Sequence, residues 1–567
     1  MRTRNSAAKL TALTAAVAFL AVGCSSGAKS APAAVPTLPP SNTNATPYSK
    51  VLSGGTFRIS MGAYPSQWNF NQDDGTTEAV SEVMSALMPT PFTSDSSGNP
   101  VADPDYISSY KLTPPSGGQL ETIELHLNPK AVWSDGTPIT ANDYITQWKA
   151  LNGSNSAFDP SGTTGYNDIK SVVQGSSPYD VLYTLSTPFG EWSSLFGMIF
   201  PAKYNATPQE FDKGYLNQIP VTGGPFVVQS LNSSNQTVTL ARNPHFWAPA
   251  AKLSTIVFEN LSEDAAVQAA ANGELDDVQV FNVSEYDKLK NTPGLSARSA
   301  ISEEWPALMF NGKNSILSST DVRDALQEAV DRPAIISSQL KGLPVPAVQP
   351  LQNHILLPNQ VGYTNNSGQY GTYSPANAEK LLTAAGWVPG AGGVRYKNGQ
   401  PLAITMQLQS GDTVGASIAQ LIQVMWKQVG VKLTLQTINA DDYFDNYITE
   451  GNFEVGLWEW DDSPDTVSGS QPVYQQWQGT NTFQNFGDIG SPQIDKLFNQ
   501  ALGETDPAQA HATADKVDAL IWAEGWGLPL FTEPDIEMQD TYLANWGAFG
   551  MSLPDYDDVG YTKLASS

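Results

Sequence analysis

The chain has 567 residues but only one cysteine and four histidines, so few residues could support metal or redox chemistry. The histidines lie far apart in the sequence, at His126, His245, His354 and His511. Neither an H-E-x-x-H motif nor a cysteine cluster provides the spacing of a metal centre. The G-x-S-x-G and G-x-x-x-x-G-K-[ST] motifs are also missing. Because no motif selects a catalytic pair from the many acids, we expect neither enzyme activity nor a cofactor.

Basic residues are scarce relative to acidic ones. The chain has 29 lysines and arginines against 56 aspartates and glutamates, which gives a net charge of −27. Binding to nucleic acid depends on basic side chains that neutralise phosphates, so this composition argues against a nucleic-acid partner. Hydrophobic residues make up 40% of the chain. Because a single core rarely serves more than about 250–300 residues, we expect at least two lobes.

The apolar run near the start of the chain is too short to span a membrane comfortably. Residues 10–23, LTALTAAVAFLAVG, carry no charge and follow the basic residues Arg2, Arg4 and Lys9. A transmembrane helix needs about 20 apolar residues. A basic start, an apolar stretch of about 7–15 residues and a small-residue cleavage site are typical of a secretory signal. We therefore expect residues 1–23 to be a signal peptide.

The single cysteine, Cys24, directly follows this run and cannot form a disulfide within a monomer. The sequence A-V-G-C at its position resembles the bacterial lipoprotein signal, in which the cysteine is lipidated and becomes the new N-terminus. The resemblance implies acylation of Cys24 and an anchor on the outer face of the cell membrane. Residues 24–50 are rich in serine, alanine, proline and asparagine, and this composition predicts a flexible tether.

Alternating patterns predict an α/β architecture in the second half of the chain. Residues 402–408 alternate as in a half-buried strand, residues 418–429 have apolar side chains at helical spacing, and residues 431–435 alternate again. A strand, a helix and a strand in this order imply a parallel pair with a right-handed crossover. Residues 262–280 predict a capped helix followed by a strand. Such elements in both halves suggest two α/β lobes.

Several stretches resemble the solute-binding proteins of peptide-type ABC importers, known as family 5. The segment VWSDGTPITANDYITQWKAL at 132–151 is similar to a family signature, and there Thr140 is expected to cap a helix. Further similar stretches follow in the family's order, and the resemblance extends over residues 54–565. They are 222–247 (TGGPFVVQS to LARNPHFW), 321–335 (DVRDALQEAVDRPAI), 373–387 (YSPANAEKLLTAAGW) and 429–433 (VGVKL).

The resemblance implies a bilobal clamp like that of type II periplasmic binding proteins, with the extra subdomain of the peptide-binding group. Residues 51–88, 218–300 and 540–567 are then expected to form lobe one, and residues 301–539 lobe two. Residues 89–217 are expected to form an inserted subdomain. A ligand would be enclosed between the lobes by hinge closure and delivered to a membrane permease. We expect a monomer.

The predicted ligand site lies in the segment LWEWDDSPD at 457–465, which follows a predicted strand at 453–458. In α/β sheets, ligands bind beyond the carboxyl ends of the strands. In peptide-binding members of the family, a tryptophan and an aspartate three positions later occupy this loop, and the aspartate holds the peptide's ammonium. Trp458 and Asp461 match that spacing. The alternative interpretation is a solvated Asp-Ser-Pro turn with Trp458 in the core.

Four further residues complete the prediction. Trp460 lies within the same segment, and Asp462 could replace Asp461 as the ammonium ligand, because the loop differs in length among family members. Trp68 and Trp305 are candidates for the wall of the site or for plain packing.

Two other functions remain open at the level of the sequence. The 14 tryptophans and 21 tyrosines could provide stacking surfaces for a carbohydrate or glycolipid, because a fold does not fix a function. The protein could also be a lipid-anchored interaction protein of the cell envelope with no role in transport.

Overall fold

The computed structural model describes residues 37–478 and 482–564. The predicted signal peptide, Cys24 and the first part of the predicted tether lie outside these ranges. Among the described residues, no helix has both the length and the apolar character needed to cross a membrane.

A four-stranded sheet organises the first part of the chain. Its strands, in spatial order, are Thr56–Met61, Thr255–Asn260, Thr237–Arg242 and Phe226–Asn232. The first two are parallel and the other pairs are antiparallel. The helix Glu78–Ser85 is capped by Thr77, whose side chain accepts a hydrogen bond from the Val80 N–H. Phe57, Val80 and Val238 belong to one buried apolar cluster, so helix and sheet share a core.

A second, four-stranded antiparallel sheet lies in the range predicted as the inserted subdomain. Its strands, in spatial order, are Ile107–Thr113, Thr122–Leu127, Asp180–Leu185 and Ile169–Gln174. The predicted helix after Thr140 is confirmed as Ala141–Leu151. Its capping box is complete, because the Thr140 N–H donates to Asp143 Oδ2 at 2.7 Å. Such reciprocal caps satisfy N–H groups that the first helical turn leaves free.

A three-stranded antiparallel sheet contains the strands Asp277–Gln279, Pro534–Asp540 and Leu295–Ile301, with Pro534–Asp540 in the centre. Its apolar face packs against the helices Glu263–Asn272 and Val283–Leu289. The central strand lies in the range assigned to lobe two by sequence, yet it pairs with two strands from the range assigned to lobe one. The lobe boundaries stay a prediction.

A five-stranded mixed sheet organises the second half of the chain. Its strands, in spatial order, are Lys432–Ile438, Ala403–Gln409, Val455–Asp461, Glu304–Phe310 and Gly527–Pro529. The predicted strand, helix and strand are confirmed as Ala403–Gln409, Thr413–Gln428 and Lys432–Ile438, and the two strands are parallel. This sheet has its own large core, which is separate from the core of the first sheet. The described chain is therefore an α/β protein with two major cores.

Further helices and short strands complete the fold. Three helices each begin with proline, directly after Ser374, Ser491 and Asp506, where proline suits the first helical position. The α-helices whose bounds have not yet been given, these three included, are Pro208–Lys213, Thr320–Glu328, Arg332–Leu340, Pro375–Ala384, Ala440–Asp442, Thr466–Tyr474, Pro492–Leu502 and Pro507–Glu524. Tyr443–Ile448 is a π-helix. The remaining strands are Asn42–Thr43, Phe92–Ser94, Pro100–Ala102, Val388–Pro389, Arg395–Lys397, Gln400–Pro401, Leu543–Ala544, Gly547–Ala548 and Gly560–Tyr561.

Candidate functional site

Three of the predicted site residues, Trp458, Trp460 and Asp461, lie on a strand rather than on a loop. Val455–Asp461 extends three residues beyond the end predicted from sequence, at 458, so that boundary was wrong. The physical reason is the antiparallel partner Glu304–Phe310, which continues the ladder to its end. Trp460 lies opposite Trp305 in this ladder, and Asp461 lies opposite Glu304.

The register divides the site residues between two faces of the sheet. Successive side chains of a strand point to opposite faces, and directly paired residues share a face. Asp461 and Glu459 therefore share one face with Glu304, whereas Trp458 and Trp460 lie on the other. The acidic and aromatic side chains thus leave the strand on opposite faces, and they come together at its edge, where Glu459 and Trp458 both line one cavity.

The aromatic face is a packed cluster. Trp458 is 7% exposed and contacts the ring of Trp460 with the centroids 6.0 Å apart. The half-buried Trp460 also stacks on Phe486, with the ring planes 11° apart, and contacts Trp526. The chain comes close to Trp458 at Gly456, where an added Cβ would lie 2.3 Å from the indole ring. The sequence analysis missed Phe486 and Trp526, because neither residue is near the site in the chain.

The acidic face contains a tight group of three glutamates. Carboxylate oxygens of Glu304, Glu459 and Glu533 lie within 4.8 Å of one another. Glu459 is paired with Pro306 in the ladder, and the Glu533 N–H donates to the Glu304 carbonyl oxygen at 2.8 Å. We call Glu304, Glu459 and Glu533 the glutamate trio. The sequence analysis missed the glutamate trio, because its members are far apart in the chain. Strand pairing brings Glu304 and Glu459 together, and a backbone hydrogen bond brings Glu533 to Glu304.

Further acids surround the glutamate trio. The residues that interact electrostatically with it or with its neighbours are Glu78, Glu303, Asp412, Asp461 and Asp462. Burial, and then the nearby carboxylates, raise the pKa of Glu303 and Glu533 to about 8 and that of Glu304 to about 7. None of the ion pairs among the described residues involves any of these acids. The surface therefore concentrates carboxyl groups that have no counter-ion among the described residues.

The two aspartates of the prediction differ in their surroundings. Asp461 is exposed as a residue, but neighbouring atoms partly desolvate its carboxylate. This desolvation, and then the negative charge of Glu78, raise the pKa of Asp461. Asp462 is half-buried, and its backbone N–H donates to the Glu303 carbonyl oxygen at 3.1 Å. Burial, and then Asp461, raise the pKa of Asp462 well above its usual range. Asp461 is thus the more accessible carboxylate of the two.

A cavity of about 420 Å³ is lined by one member of the glutamate trio, Glu459. It lies beside Val455–Asp461, at the point where Ala403–Gln409 stops pairing with that strand, after Gly456. Its lining contains no lysine or arginine and consists of Pro306, Gln409, Ser410, Gly411, Asp412, Val414, Gly415, Ile418, Phe444, Leu457, Trp458 and Glu459. The cavity is at the carboxyl end of a parallel strand, where α/β folds bind ligands.

The other two predicted wall residues are fully buried. Trp68 is 0% exposed and packs edge-on against Tyr64, and Trp305 is 1% exposed in the core of the five-stranded sheet. In this structure neither presents a surface to solvent, and their role in the site stays a prediction.

The chain segment after Asp461 is held from another part of the fold. Glu191 accepts hydrogen bonds from the N–H groups of Val467 and Ser468, at 2.7 and 2.8 Å. These groups are at the start of the helix Thr466–Tyr474, where the helix dipole favours an anion. Burial, and then Glu191, raise the pKa of Asp465 well above its usual range. Residues of the predicted inserted subdomain thus contact the predicted lobe two beside the site.

Comparisons with known proteins agree with this fold. The middle region of the bacterial extracellular solute-binding proteins, family 5, matches residues 119–482. The oligopeptide-binding protein OppA of Mycobacterium tuberculosis (strain ATCC 25618 / H37Rv) is 34% identical over 514 residues, which cover 90% of this chain and 85% of OppA.

Two solved structures share the fold at low sequence identity. A periplasmic EDTA-binding protein, EppA, has a TM-score of 0.84 at 22% identity and covers 92% of this chain and 98% of its own. The oligopeptide-binding protein AppA of Bacillus subtilis, in complex with a nonapeptide, has a TM-score of 0.71 at 18% identity and covers 90% of this chain and 100% of its own. The chain belongs to the bacterial extracellular solute-binding proteins of family 5.

Proposed function

We propose that this family 5 protein is the solute-binding component of an ABC importer and captures oligopeptides at the surface that contains Asp461. The observation that carries the proposal is an exposed carboxylate at the end of a central strand, among acids that have no counter-ion among the described residues. The 34% identity to a protein named oligopeptide-binding, over most of the chain, supports a peptide as the solute.

In this proposal Asp461 binds the α-ammonium group of the peptide. A cation that leaves water is destabilised unless it is paired, so the binding surface must provide a carboxylate. The peptide backbone would extend beside residues 457–459, where Ala403–Gln409 no longer pairs with the strand. Main-chain hydrogen bonds of this kind give affinity that tolerates different side chains.

The site would close by motion of the two lobes. A ligand shifts such an equilibrium only if it binds one state better than the other. The hydrogen bonds from Val467 and Ser468 to Glu191 would contribute to a closed state. Small-angle scattering should show a smaller radius of gyration when a peptide saturates the protein; an unchanged radius with confirmed binding would contradict closure.

Acylation of Cys24 would anchor the monomeric protein to the outer face of the membrane, next to the permease. A single acyl chain binds membranes only marginally, so the anchor would need more than one chain. The test is metabolic labelling with a fatty acid, which Cys24→Ala should abolish. Labelling that persists in the variant would contradict the anchor.

The experiment on Asp461 is a double-mutant cycle measured by calorimetry. Its two perturbations are Asp461→Asn in the protein and N-acetylation of a peptide. Loss of one partner of a buried, hydrogen-bonded charge pair costs about 2–5 kcal/mol, or roughly a thirty-fold to several-thousand-fold loss of affinity. Combined, the two changes should cost much less than their sum, because one interaction can be lost only once.

The matched control is Asp462→Asn, which changes the adjacent carboxylate. We expect Asp462→Asn to retain the preference for a free over an acetylated peptide. Transfer of the effect to Asp462 would show that the neighbouring aspartate binds the ammonium. Equal affinity of the native protein for the free and the acetylated peptide would contradict the ammonium site. Binding of sugars in a parallel thermal-shift panel would support the carbohydrate alternative.

A further inference from the structure

The glutamate trio provides more carboxyl groups than one peptide ammonium requires. Asp461, the proposed ammonium ligand, lies opposite Glu304 on the same face of the sheet, so the trio is a separate group beside it. No side chain of the trio makes a hydrogen bond or an ion pair with another described residue. Like charges at this spacing repel each other, so a fold that retains them without a counter-ion favours a cationic ligand.

A second observation points to a ligand in the adjoining cavity. Trp458 lines the cavity and is 7% exposed, and its indole N–H has no hydrogen-bond partner among the described residues. A buried donor without an acceptor costs about 1–3 kcal/mol. A ligand with a carbonyl oxygen would satisfy this donor, and peptides carry one at every residue.

The shape of the site favours a side chain over a metal ion. The cavity of about 420 Å³ is far larger than an ion needs, and its walls include the rings of Trp458 and Phe444. A lysine or arginine side chain combines an apolar stem, which packs on aromatic rings, with a charged end that pairs with carboxylates.

We propose that the glutamate trio binds the charged end of a lysine or arginine side chain of the captured peptide, with the stem of that side chain in the cavity beside Trp458. The protein would therefore select basic peptides. This inference rests on the proposed function, since it requires a peptide ligand. Glu304, Glu459 and Glu533 would determine specificity, whereas Asp461 would bind the ammonium that every free peptide carries.

The test uses tetrapeptides of alanine with one lysine at position 1, 2, 3 or 4. Each is matched by a peptide with norleucine, which has a similar stem but no charge. Calorimetry with the native protein should show at least one lysine peptide that binds about 10–100-fold more tightly than its norleucine partner. In the double variant Glu459→Gln, Glu533→Gln this ratio should fall to about one.

Each outcome has a definite meaning. Equal binding of lysine and norleucine peptides by the native protein would overturn the inference and leave the proposed function intact. No binding of any peptide would overturn both. Calcium chloride titrated alone serves as a third arm: if it binds the native protein, is lost in the double variant, and lysine gives no gain, the trio is a metal site and the inference is wrong.

The control for folding is the melting temperature of the double variant, since glutamine has the shape of a protonated glutamate. If the double variant does not fold, Glu459→Gln alone replaces it, because Glu459 is exposed. The single variant should reduce the lysine-to-norleucine ratio at least three-fold. A ratio that stays at the native value would overturn the inference.

Discussion

Two acidic regions of the molecule look alike in composition but differ in what their oxygens contact. The glutamate trio adjoins one cavity, and five aspartates line another of about 430 Å³. These five are Asp103, Asp105, Asp555, Asp557 and Asp558, and we call them the aspartate cluster. Both regions combine many carboxylates with nearby aromatic rings.

Two members of the aspartate cluster, Asp103 and Asp555, hold local turns. Asp103 accepts a hydrogen bond from the Asp105 N–H at 2.8 Å, and Asp555 accepts one from the Asp557 N–H at 3.1 Å. Aspartates that bond to the backbone two residues on are characteristic of such turns. The trio differs, because Glu304 and Glu459 come from two paired strands and Glu533 directly precedes a third, and their carboxylates have no hydrogen-bond partner among the described residues. A carboxylate that accepts hydrogen bonds from its own loop has a structural role, whereas carboxylates that converge without protein partners are available to a ligand.

The largest expected effect comes from reversing one charge in each region. Glu459→Lys replaces attraction of a basic side chain by repulsion, and we expect calorimetry to show at least a hundred-fold loss of affinity for a lysine peptide. Asp558→Lys makes the same change in the aspartate cluster and should leave affinity within two-fold. Equal losses in both variants would mean that net charge, rather than the trio, attracts the peptide.

The comparison becomes sharper if Trp458 is moved without a change in charge. In Gly456→Ala the new Cβ would meet the indole ring at 2.3 Å, so Trp458 must shift. Overpacking of this kind costs about 1–3 kcal/mol of unfolding free energy, measured by denaturant titration. We also expect weaker peptide binding.

The matched control for this change is Gly62→Ala, where an added Cβ meets no atom within 4 Å. Stability and peptide affinity of this variant should stay at or slightly above the native values. If Gly456→Ala behaved like Gly62→Ala, the position of Trp458 would not matter to the site.

The pH dependence of stability gives a smaller effect, on the order of a few degrees in melting temperature. The folded-state pKa values of Glu303, Glu304 and Glu533 are about 7 to 8, above the usual value of 4.5. The folded state therefore binds more protons than the unfolded state between about pH 5 and 8, and the free energy of unfolding falls as pH rises.

Thermal melts from pH 5 to 8.5 check this sign. The other groups that face these three are all acids, and their repulsion raises the same pKa values and so reinforces the trend. They are Glu78, Asp412, Glu459, Asp461 and Asp462. Saturation with a lysine peptide should reduce the fall, because the ligand's charge stabilises the ionised carboxylates. A melting temperature that rises with pH in the free protein would contradict the prediction.

The smallest effect is expected from Asp557→Asn in the aspartate cluster. Burial, and then Asp555, raise the pKa of Asp557 to about 9, so this group is protonated at pH 7. Asparagine has nearly the shape of that neutral acid, and the free energy of unfolding at pH 7 should change by less than about 0.5 kcal/mol. A loss of more than about 2 kcal/mol would show an ionised Asp557 with a bound cation, and the distinction between the two regions would fail.

Much of the scaffold could be predicted because its signals are local. The cap at Thr140, the helices after Ser374 and Asp506, and the parallel pair around the helix Thr413–Gln428 all follow from patterns within a few residues. The end of the strand Val455–Asp461 could not be predicted in this way. Its last residues read as a loop, and they are extended because Glu304–Phe310 pairs with them from 150 residues away.

The sequence by itself determined the α/β class and the family, and it predicted a ligand site near Asp461, since hydrophobic periodicity, caps and motif spacing act over short distances along the chain. Only the tertiary structure decided that Glu304, Glu459 and Glu533 meet. Their convergence depends on the register of one antiparallel pair and on the backbone hydrogen bond from Glu533 to Glu304. A shift of one residue in that register would turn Glu459 to the aromatic face, because side chains alternate along a strand.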